Sequence, residues 1–435
     1  MTLPPRAVDV PDRHARYALF LLSLVMLLNI IDRSMLAVLI EPIKEELDVS
    51  DTAMGMLTGT SFALLHVVAM IPIASYADRG SRRNLIALGL GAWSALTILT
   101  GLTRNFGEMF VVRLGLGVGE ATVVPTSHSL VADYYSLERR ATALSLLILA
   151  APIGHSIAYA AGGFLNELWG WRAAFFIFGV PGLLLMLVIR WTLREPLRGA
   201  SDGSGGAWGP LRVSVALRTL LALRSYRHLA LGAAYSALAN HALSIWSAPF
   251  WMRVYDLGSA EVGATLALAT GPSTAAGVLV AGRLADRLSP RDIRWLAWIP
   301  AITCALALPF ACGFTLAGSH TLSFALLIPT SFLGMIAIGP IYTAVQSIVP
   351  PNTRALASAM LSLLLTAVGL GVGPPLVGLL IDLGSTAYGA DSIRYALTAA
   401  AFCFVGAVVH WMWAARSLAH DFQTARAISD QSSKP

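Results

Sequence analysis

The composition of the 435-residue chain limits what kind of protein it can be. With 56% hydrophobic residues, 12% charged residues and a mean hydropathy of +0.69, it is a membrane protein with many spans. The net charge of +6 does not indicate nucleic-acid binding, because the arginines lie in short loops between apolar runs. The three cysteines lie in apolar runs without ligand or disulfide spacing, so neither a metal nor a disulfide framework is expected.

Apolar runs of about twenty residues recur along the chain, each long enough to cross a bilayer as a helix. We predict an all-α membrane protein with twelve transmembrane helices at 17–40, 53–76, 84–102, 107–130, 141–164, 172–191, 228–252, 261–284, 293–313, 321–347, 355–381 and 393–416. The predicted regions are a cytoplasmic tail at 1–16, a six-helix bundle at 17–191, a cytoplasmic linker at 192–227, a second six-helix bundle at 228–416 and a cytoplasmic tail at 417–435.

The first and fourth spans carry polar groups near their middles. The first contains Asn29, Asp32 and Arg33, and the fourth contains Arg113 and Glu120, seven residues apart and on nearly the same helix face. Each acid or arginine costs roughly 2.5–3.5 kcal/mol inside a bilayer, and such residues mark ion or substrate pathways more often than packing. The four charges sum to zero, which predicts one paired cluster shared by two helices. A structural ion-pair lock is the alternative.

The cluster divides into candidate roles. Asp32 and Glu120 are the only acids near mid-membrane in the predicted spans, so they are the candidate proton carriers. Arg33, Arg113 and Asn29 are the candidate substrate ligands. No ATP-binding, hydrolase or metalloprotease motif is present, so an ion gradient is the expected energy source and no enzyme activity or cofactor is expected.

The long hydrophilic interval between the sixth and seventh spans is interpreted as a tether. Residues 200–210 are rich in Gly and Ser, a composition typical of flexible linkers. After them, the apolar residues Val213, Leu217, Leu220 and Leu221 have helical spacing and predict a short interfacial helix.

The second half lacks mid-membrane charge and offers apolar side chains instead. Tyr342, Trp246 and Met335 are candidate contacts for the apolar part of an amphipathic substrate, although simple helix packing explains most such residues. His241, beside Asn240, is a possible proton relay; a histidine hydrogen-bonded across helices is the commoner case.

Arginines set the predicted orientation. Most arginines lie in or beside the loops after spans 2, 4, 6, 8 and 10, whereas the basic residues in or beside the loops after the odd-numbered spans are Lys44, Arg104, Arg172, Arg253 and Arg394. The positive-inside rule therefore places both termini and the linker in the cytoplasm. Abundant arginine beside scarce lysine indicates a bacterial protein, and hence the inner membrane.

The two halves repeat. Asp78-Arg79 recurs in the second half as Asp286-Arg287, and Arg140-Ala-Thr-Ala recurs as Arg354-Ala-Leu-Ala, at nearly the same displacement along the chain. Near-equal displacements predict two bundles related by pseudo-two-fold symmetry, with a substrate site at their interface.

The loop Ala74-Ser-Tyr-Ala-Asp78-Arg79-Gly-Ser81-Arg82-Arg83 resembles the signature of the major facilitator superfamily, with Ala74 and Ser81 replacing two glycines. Asp32-Arg33, Arg113-x-x-x-Gly117-x-Gly119-Glu120 and Pro152-x-Gly154 resemble the Spinster subfamily. The resemblance is best over residues 29–175.

The resemblance implies a function and a gate. It implies that Asp78, Arg79 and Arg82 act in gating, with Asp133 as the first candidate partner of Arg82, Glu138 as the second, and Asp286 as the weaker copy in the second half. It also implies proton-linked or facilitated export of lysophospholipids or sphingoid phosphates. The expected partners are thus such a lipid or another amphipathic small molecule, protons and the bilayer, with the protein acting as a monomer. The alternatives are a proton-coupled drug or organic-anion antiporter and a non-transporting sensor or scaffold.

Overall fold

The computed structural model describes residues 12–77, 79–196, 213–349 and 353–432. Asp78 and most of the Gly/Ser-rich linker therefore lie outside the described residues. Within the described residues all regular secondary structure is helical and no strand occurs. The predicted all-α class is confirmed.

The described residues form nineteen α-helices. Their bounds are α1 Asp12–Val38, α2 Ile40–Leu47, α3 Asp51–Gly55, α4 Ser61–Ala77, α5 Arg82–Thr100, α6 Phe106–Glu120, α7 Val123–Tyr134, α8 Leu137–Trp169, α9 Trp171–Thr192, α10 Val213–Ala222, α11 Arg224–Tyr255, α12 Ser259–Leu288, α13 Trp295–Leu316, α14 His320–Ile336, α15 Ile338–Ser347, α16 Arg354–Leu364, α17 Gly371–Tyr388, α18 Ser392–Ala401 and α19 Cys403–Ser432. Two π-helical segments, Met56–Thr60 and Leu365–Leu370, and one 3₁₀ turn, Gly389–Asp391, join some of them.

Hydropathy supports the membrane assignment. Nine helical stretches of the described residues are long and apolar enough to cross a membrane, and one of them, Leu356–Arg426, contains two predicted spans. The predicted third and seventh spans, which are not among the nine, lie on α5 and α11. The short helix expected after the linker is present as α10. Residues 417–432, expected as a tail, continue α19 as helix.

Prolines explain three of the helix interruptions. Breaks at Leu39, Ala121–Thr122 and Ala337 fall three or four residues before Pro42, Pro125 and Pro340. A proline has no N–H for the carbonyl four residues earlier, and its ring collides with that carbonyl. The break in the fourth span therefore comes directly after Glu120. Because Pro340 is the counterpart of Pro125 in the internal repeat, the tenth span is interrupted at the equivalent point.

The chain divides into two compact units. The first contains residues 1–49, 61–207 and 258–267, and the second contains 50–60, 208–257 and 268–435. These units differ from the predicted halves in two short segments, since 50–60 belongs to the second unit and 258–267 to the first.

Each unit has its own apolar core. In the first, α1 packs against α8, α5 packs against α9, and α6 packs against α4 and α5, around buried side chains such as Trp93 and Phe175. In the second, α11 packs against α19 and α13 packs against α14, around Trp251, Phe314 and Trp411. Many large apolar side chains on the outer helix faces remain exposed, as a lipid-facing surface requires.

Candidate functional site

The polar residues of the first and fourth spans meet in the first unit, where they form two ion pairs rather than one undivided cluster. The first pair joins α1 to the last residue of α6. Arg33 Nε lies 2.5 Å from Glu120 Oε2, and Asn29 Nδ2 donates to the same oxygen at 2.8 Å. The Glu120 side chain is fully buried, whereas that of Arg33 is 29% exposed. Arg33 is therefore the member of the pair that an external ligand can reach.

The position of Glu120 at the end of α6 makes its buried negative charge unfavourable unless neighbouring groups compensate it. The carbonyl groups at a helix C-terminus carry partial negative charge, which disfavours a carboxylate there. Arg33 and Asn29 compensate this on one oxygen. The other oxygen, Glu120 Oε1, is buried and has no hydrogen-bond partner among the described residues. A buried carboxylate with one unsatisfied oxygen is costly, so its stability depends on the contacts with Arg33 and Asn29.

The second pair is sealed from solvent. Arg113 NH1 lies 3.5 Å from Asp32 Oδ2, and the hydroxyl of Thr97 on α5 donates to Asp32 Oδ1 at 2.8 Å. Arg113 and Asp32 are 1% and 3% exposed. This geometry ties α1, α5 and α6 together, as the alternative of a structural lock predicts for this pair.

Aromatic side chains of α4 complete the surroundings of Arg33. The guanidinium carbon lies 4.2 Å from the centre of the Phe62 ring, and the Phe62 and His66 rings stack at 4.8 Å. His66 Nδ1 is 3.0 Å from the carbonyl oxygen of Gly117, which fixes α4 against α6. The stacked ring and the hydrogen bond to Glu120 hold the planar guanidinium in one orientation.

Gly117 has a structural reason to lack a side chain. A Cβ at this position would lie 2.5 Å from the carbonyl oxygen of Phe62 and 3.2 Å from the backbone nitrogen of His66. These are backbone atoms that cannot move aside singly, so the residue permits the close approach of α4 and α6.

The substrate-contact candidates of the second half all lie in the second unit. Trp246 is fully buried, and its indole N–H donates to the carbonyl of Pro374 at 3.0 Å. Tyr342 and Met335 are half-buried, and the Tyr342 hydroxyl hydrogen-bonds with Ser362. His241 Nδ1 is 2.9 Å from the carbonyl oxygen of Ala237. Their roles in substrate binding and proton relay stay predictions.

A third charged cluster surrounds Arg82, the first residue of α5. Although it is an arginine, it is only 2% exposed. Its guanidinium pairs with Asp133, donates to Ser129 Oγ at 3.0 Å and lies 3.1 Å from Glu195 Oε1. The contact with Asp133 is the one that the family resemblance led us to expect. A gating role for it stays a prediction.

Glu195 caps the beginning of α5. Its carboxylate accepts hydrogen bonds from the Ser81 hydroxyl at 2.7 Å and from the backbone N–H groups of Arg82 and Arg83 at 2.9 Å each. Burial by itself raises the pKa of Glu195, but these hydrogen bonds outweigh it and hold the pKa below the ordinary 4.5. Sequence reasoning placed Glu195 in the linker and gave it no role. The available signal was an acid beside Pro196, between Arg194 and Arg198.

The structure describes the side chains of two of the four remaining gating candidates. Arg79 and Asp286 are exposed, while Asp78 and the side chain of Glu138 lie outside the described residues. Their roles stay predictions. In the part of the chain that the structure describes, no group of three or more His, Cys, Asp or Glu side chains could hold a metal ion.

Comparison with known proteins identifies the family. The sequence profile of the Major Facilitator Superfamily matches residues 22–369. The chain is 34% identical over 430 residues to an MFS-type efflux pump of Mycolicibacterium smegmatis (strain ATCC 700084 / mc(2)155), a match that covers 96% of this chain and 98% of that protein. Over 238 residues it is 29% identical to the sphingosine-1-phosphate transporter SPNS2 of Danio rerio, covering 54% of this chain and 47% of that protein.

A solved structure extends the similarity to the fold. The crystal structure of a bacterial homologue of the human lysosomal transporter Spinster, in an inward-facing and unoccupied conformation, superposes with a TM-score of 0.85. The sequence identity is 28%, and the match covers 94% of this chain and 98% of that one. The chain therefore belongs to the major facilitator superfamily, as a Spinster-like member with the superfamily's fold, and is a transporter rather than an enzyme.

Proposed function

We propose that the protein is a proton-coupled secondary transporter that exports or translocates anionic amphipathic lipids, such as lysophospholipids or sphingoid phosphates, by alternating access. The observation that carries this proposal is the Arg33–Glu120 pair, in which a partly exposed guanidinium neutralises a buried carboxylate. Such a pair offers one group to an incoming anion and the other to a proton.

The proposed coupling follows from competition for Arg33. A phosphate accepts two parallel hydrogen bonds from a guanidinium, a geometry that a single carboxylate oxygen does not provide. When phosphate takes Arg33, Glu120 loses its counter-charge in a buried environment, and binding of a proton from solvent removes the cost of the bare carboxylate. Substrate release returns Arg33 to Glu120, and the proton leaves. Protonation and substrate binding are thereby linked without any covalent step. Because the lipid and the proton bind to the same state, this scheme corresponds to translocation of both in the same direction.

Asp32 is the second proposed proton carrier, and its buried surroundings indicate that it is protonated at a different step from Glu120. The Thr97 hydroxyl and Arg113 hold it on both oxygens, and neither ion-pair partner is exposed. A proton reaches Asp32 only after the Asp32–Arg113 pair has separated. We therefore assign Asp32 a role that depends on helix movement, and Glu120 the first protonation step.

The phosphate-bearing lipid class has support from a relative and from chemistry. SPNS2 of Danio rerio, which shares 29% identity over the matched region, is a sphingosine-1-phosphate transporter. Arg33, braced by the Phe62 ring, is a group suited to bidentate phosphate recognition. The contribution of Tyr342, Trp246 and Met335 to holding an apolar chain stays part of the proposal.

A second candidate is proton-coupled efflux of drugs or organic anions. It is favoured by the 34% identity, over nearly the whole chain, to the mycobacterial MFS-type efflux pump. A non-transporting sensor has less support, because the paired charges of the first unit and the Arg82–Asp133 contact are both present.

The decisive experiment is transport by the purified full-length protein in proteoliposomes. Lysophosphatidylethanolamine, sphingosine-1-phosphate and a cationic dye are each offered with and without an imposed pH gradient. We expect pH-driven movement of a phosphate-bearing lipid that Arg33→Ala abolishes. Dye movement with no lipid movement would support the efflux alternative. Lipid movement that ignores the pH gradient would remove proton coupling from the proposal.

We also propose location in a bacterial inner membrane, as a monomer with both termini in the cytoplasm. The arginine-rich loops after the even-numbered spans support this orientation. Labelling of single cysteines at Ser432 and Asp48 with a membrane-impermeant maleimide, in intact and in opened cells, tests it, because the two positions are expected on opposite sides.

A further inference from the structure

Two acids outside the sites described above hold the first turns of two other helices. Asp382, on α17, accepts hydrogen bonds from Asp51 and Thr52, and Glu167, near the end of α8, accepts one from Ala260. We propose that these acids form two latches, which hold the beginnings of the second and eighth spans and which each transport cycle releases. This inference rests on the proposed function, because only alternating access requires the release.

The latch around Asp382 lies within the second unit. Its two carboxylate oxygens accept from Asp51 N at 3.0 Å and from Thr52 N at 2.8 Å, and the Thr52 hydroxyl donates at 2.5 Å. The first N–H groups of a helix have no intrahelical acceptor and carry partial positive charge. A carboxylate at this position is therefore a reversible electrostatic and hydrogen-bonded fastening for the end of the helix.

An ion pair reinforces this latch from the opposite direction. Arg253, near the end of α11, contacts Asp51 through both terminal nitrogens, with NH2–Oδ1 at 2.5 Å and NH1–Oδ2 at 2.9 Å. Asp51 is 4% exposed. The backbone of Asp51 is thus fastened to α17 and its side chain to α11, so the first turn of the second span is held on two sides.

Close backbone packing makes the fastened state discrete. A Cβ at Gly378 would collide with the backbone of Asp51, and one at Gly55 would lie 2.5 Å from the carbonyl oxygen of Pro374. Glycines here allow contact at backbone distance, which any sideways slip of the segment would destroy. The segment is therefore either docked with its hydrogen bonds made or separated with all of them lost.

The corresponding arrangement in the first unit has fewer bonds. Glu167 Oε2 accepts from Ala260 N at 3.1 Å, and Asn166 Nδ2 donates to Ser259 Oγ at 3.0 Å. The Ser259 hydroxyl donates to the carbonyl of Gly163 at 3.0 Å, and a Cβ at Gly163 would collide with the backbone of Ser259. An acid, a helix beginning and a close glycine contact recur together.

The internal repeat relates the two latches. Asp382 follows Glu167 along the chain at nearly the same displacement that separates the cytoplasmic motifs of the two halves, and Ala260 follows Thr52 at that displacement as well. Each latch component therefore occupies the place that the repeat assigns to its counterpart. All four residues border loops that follow odd-numbered spans, on the side that the arginine distribution predicts to be outside.

The two latches differ in strength in a way that can be measured. Asp382 receives three hydrogen bonds and is backed by the Asp51–Arg253 ion pair, whereas Glu167 receives one. Neutralising Asp382 is therefore expected to shift the conformational population more than neutralising Glu167.

The test measures distances in the full-length protein in lipid nanodiscs. Cys304, Cys312 and Cys403 are replaced by alanine, and spin labels are attached at two exposed positions through Glu45→Cys and Thr386→Cys. Pulsed electron paramagnetic resonance then reports the distance distribution. Relative to the parent, Asp382→Asn is expected to raise the long-distance population at least twofold, with smaller increases for Thr52→Val and Glu167→Gln.

Asp391→Asn is the matched control. Asp391 is an exposed acid of the 3₁₀ turn that follows α17, and it pairs with Arg394, three residues later, at 2.7 Å. This variant is expected to leave the distribution unchanged. An unchanged distribution in Asp382→Asn overturns the latch. If Asp382→Asn does not fold, Thr52→Val decides the question, since it removes a single hydroxyl and preserves the shape of the side chain.

The distance measurement needs no substrate, so it separates the latch from the proposed function. A shift in Asp382→Asn, together with native protein that moves neither lipid nor dye, leaves the latch standing and overturns the function. If native protein shows proton-coupled lipid transport and no latch variant shifts the distance distribution, the proposed function stands and the latch is overturned.

Discussion

Arg33 Nε lies 2.5 Å from Glu120 Oε2, yet 29% of the Arg33 side chain is exposed while Glu120 is fully buried. Arg113 and Asp32 form the opposite kind of pair, 3.5 Å apart and sealed. The two arginines share a charge and a neighbourhood but not access to solvent. Their substitutions are therefore expected to separate substrate binding from folding.

The first prediction compares the arginines. Arg33→Lys keeps the positive charge but loses the planar guanidinium group, which can donate two parallel hydrogen bonds to a phosphate. We therefore expect the KM for a phosphate-bearing lipid to rise about tenfold with little change in thermal stability. Arg113→Ala leaves Asp32 buried without its partner, which costs about 3 kcal/mol or more of folding free energy. Transport kinetics and melting in detergent measure both. A normal KM in Arg33→Lys, or an unchanged melting temperature in Arg113→Ala, would contradict the assignment of substrate binding to Arg33 and of folding stability to Arg113.

The second prediction concerns the proton. Glu120→Gln keeps an oxygen that accepts from Asn29 and Arg33, and the partly exposed Arg33 tolerates the lost counter-charge, so the variant is expected to fold. It is also expected to lose pH-driven accumulation while still binding lipid. Asp32→Asn is expected to lose pH-driven accumulation and, in addition, stability, because Arg113 is then buried without a counter-charge. If Glu120→Gln retains pH-driven accumulation, another residue carries the proton, and His241 would be tested next.

The third prediction is the pH dependence of the Arg82 cluster. The folded-state pKa of Glu195 is lowered, so its stabilising contribution is complete above the ordinary value of 4.5 and is lost as the pH falls through the folded value. Native protein should therefore lose stability on acidification below about pH 4.5, and Glu195→Gln should lose less over the same range. Thermal unfolding in detergent at pH 7, 5 and 4 measures this. Parallel losses in both proteins would show that Glu195 contributes nothing to the pH dependence.

Much of this architecture could be predicted from the sequence because the bilayer constrains it strongly. The lengths of the apolar runs identify the spans. A charged residue inside a span is costly and therefore rare, so the sequence alone identifies Asp32, Arg33, Arg113 and Glu120 as candidates for function. Which arginine pairs with which acid could not be predicted. Residues seven apart on one helix face offer both choices, and the outcome depends on where the neighbouring helices pack.

The participants that sequence reasoning missed carry no distinctive signal. Thr97 and Phe62 are residue types common in any apolar span, and only the packing of α5 and α4 brings them to Asp32 and Arg33. Glu195 lies in a segment whose composition is that of a linker, and its partner helix begins 113 residues earlier. Contacts at such separation are set by the fold.

The fourth prediction tests the closeness of α4 and α6. Gly117→Ala would put a methyl group 2.5 Å from the Phe62 carbonyl oxygen, so the helices must separate, at a cost of about 1–3 kcal/mol. Gly115→Ala is the matched control, because its methyl group would meet only the flexible Leu96 side chain, at 3.1 Å. Melting temperatures in detergent, with lipid transport measured alongside, compare the two. Equal melting of both variants would show that the close approach is not required.

The last prediction concerns the helix break beside Glu120. Pro125 deprives the Ala121 carbonyl of a hydrogen-bond donor, so α6 ends at Glu120 and α7 begins at Val123. Pro125→Ala restores that donor, and a continuous helix would turn Glu120 relative to Arg33. We expect pH-driven transport to fall about tenfold or more while thermal stability stays equal or rises, since removing a proline from a helix interior is favourable.

Pro152→Ala provides the comparison for that variant. Pro152 lies inside α8, which remains unbroken through it, so its replacement changes a proline of a first-unit span without joining two helices. Transport close to native is expected in Pro152→Ala. If Pro125→Ala transports as well as Pro152→Ala while its melting temperature rises, the break is a tolerated defect and plays no part in positioning Glu120. If transport falls only in Pro125→Ala, the interruption of the fourth span is what presents the carboxylate to Arg33.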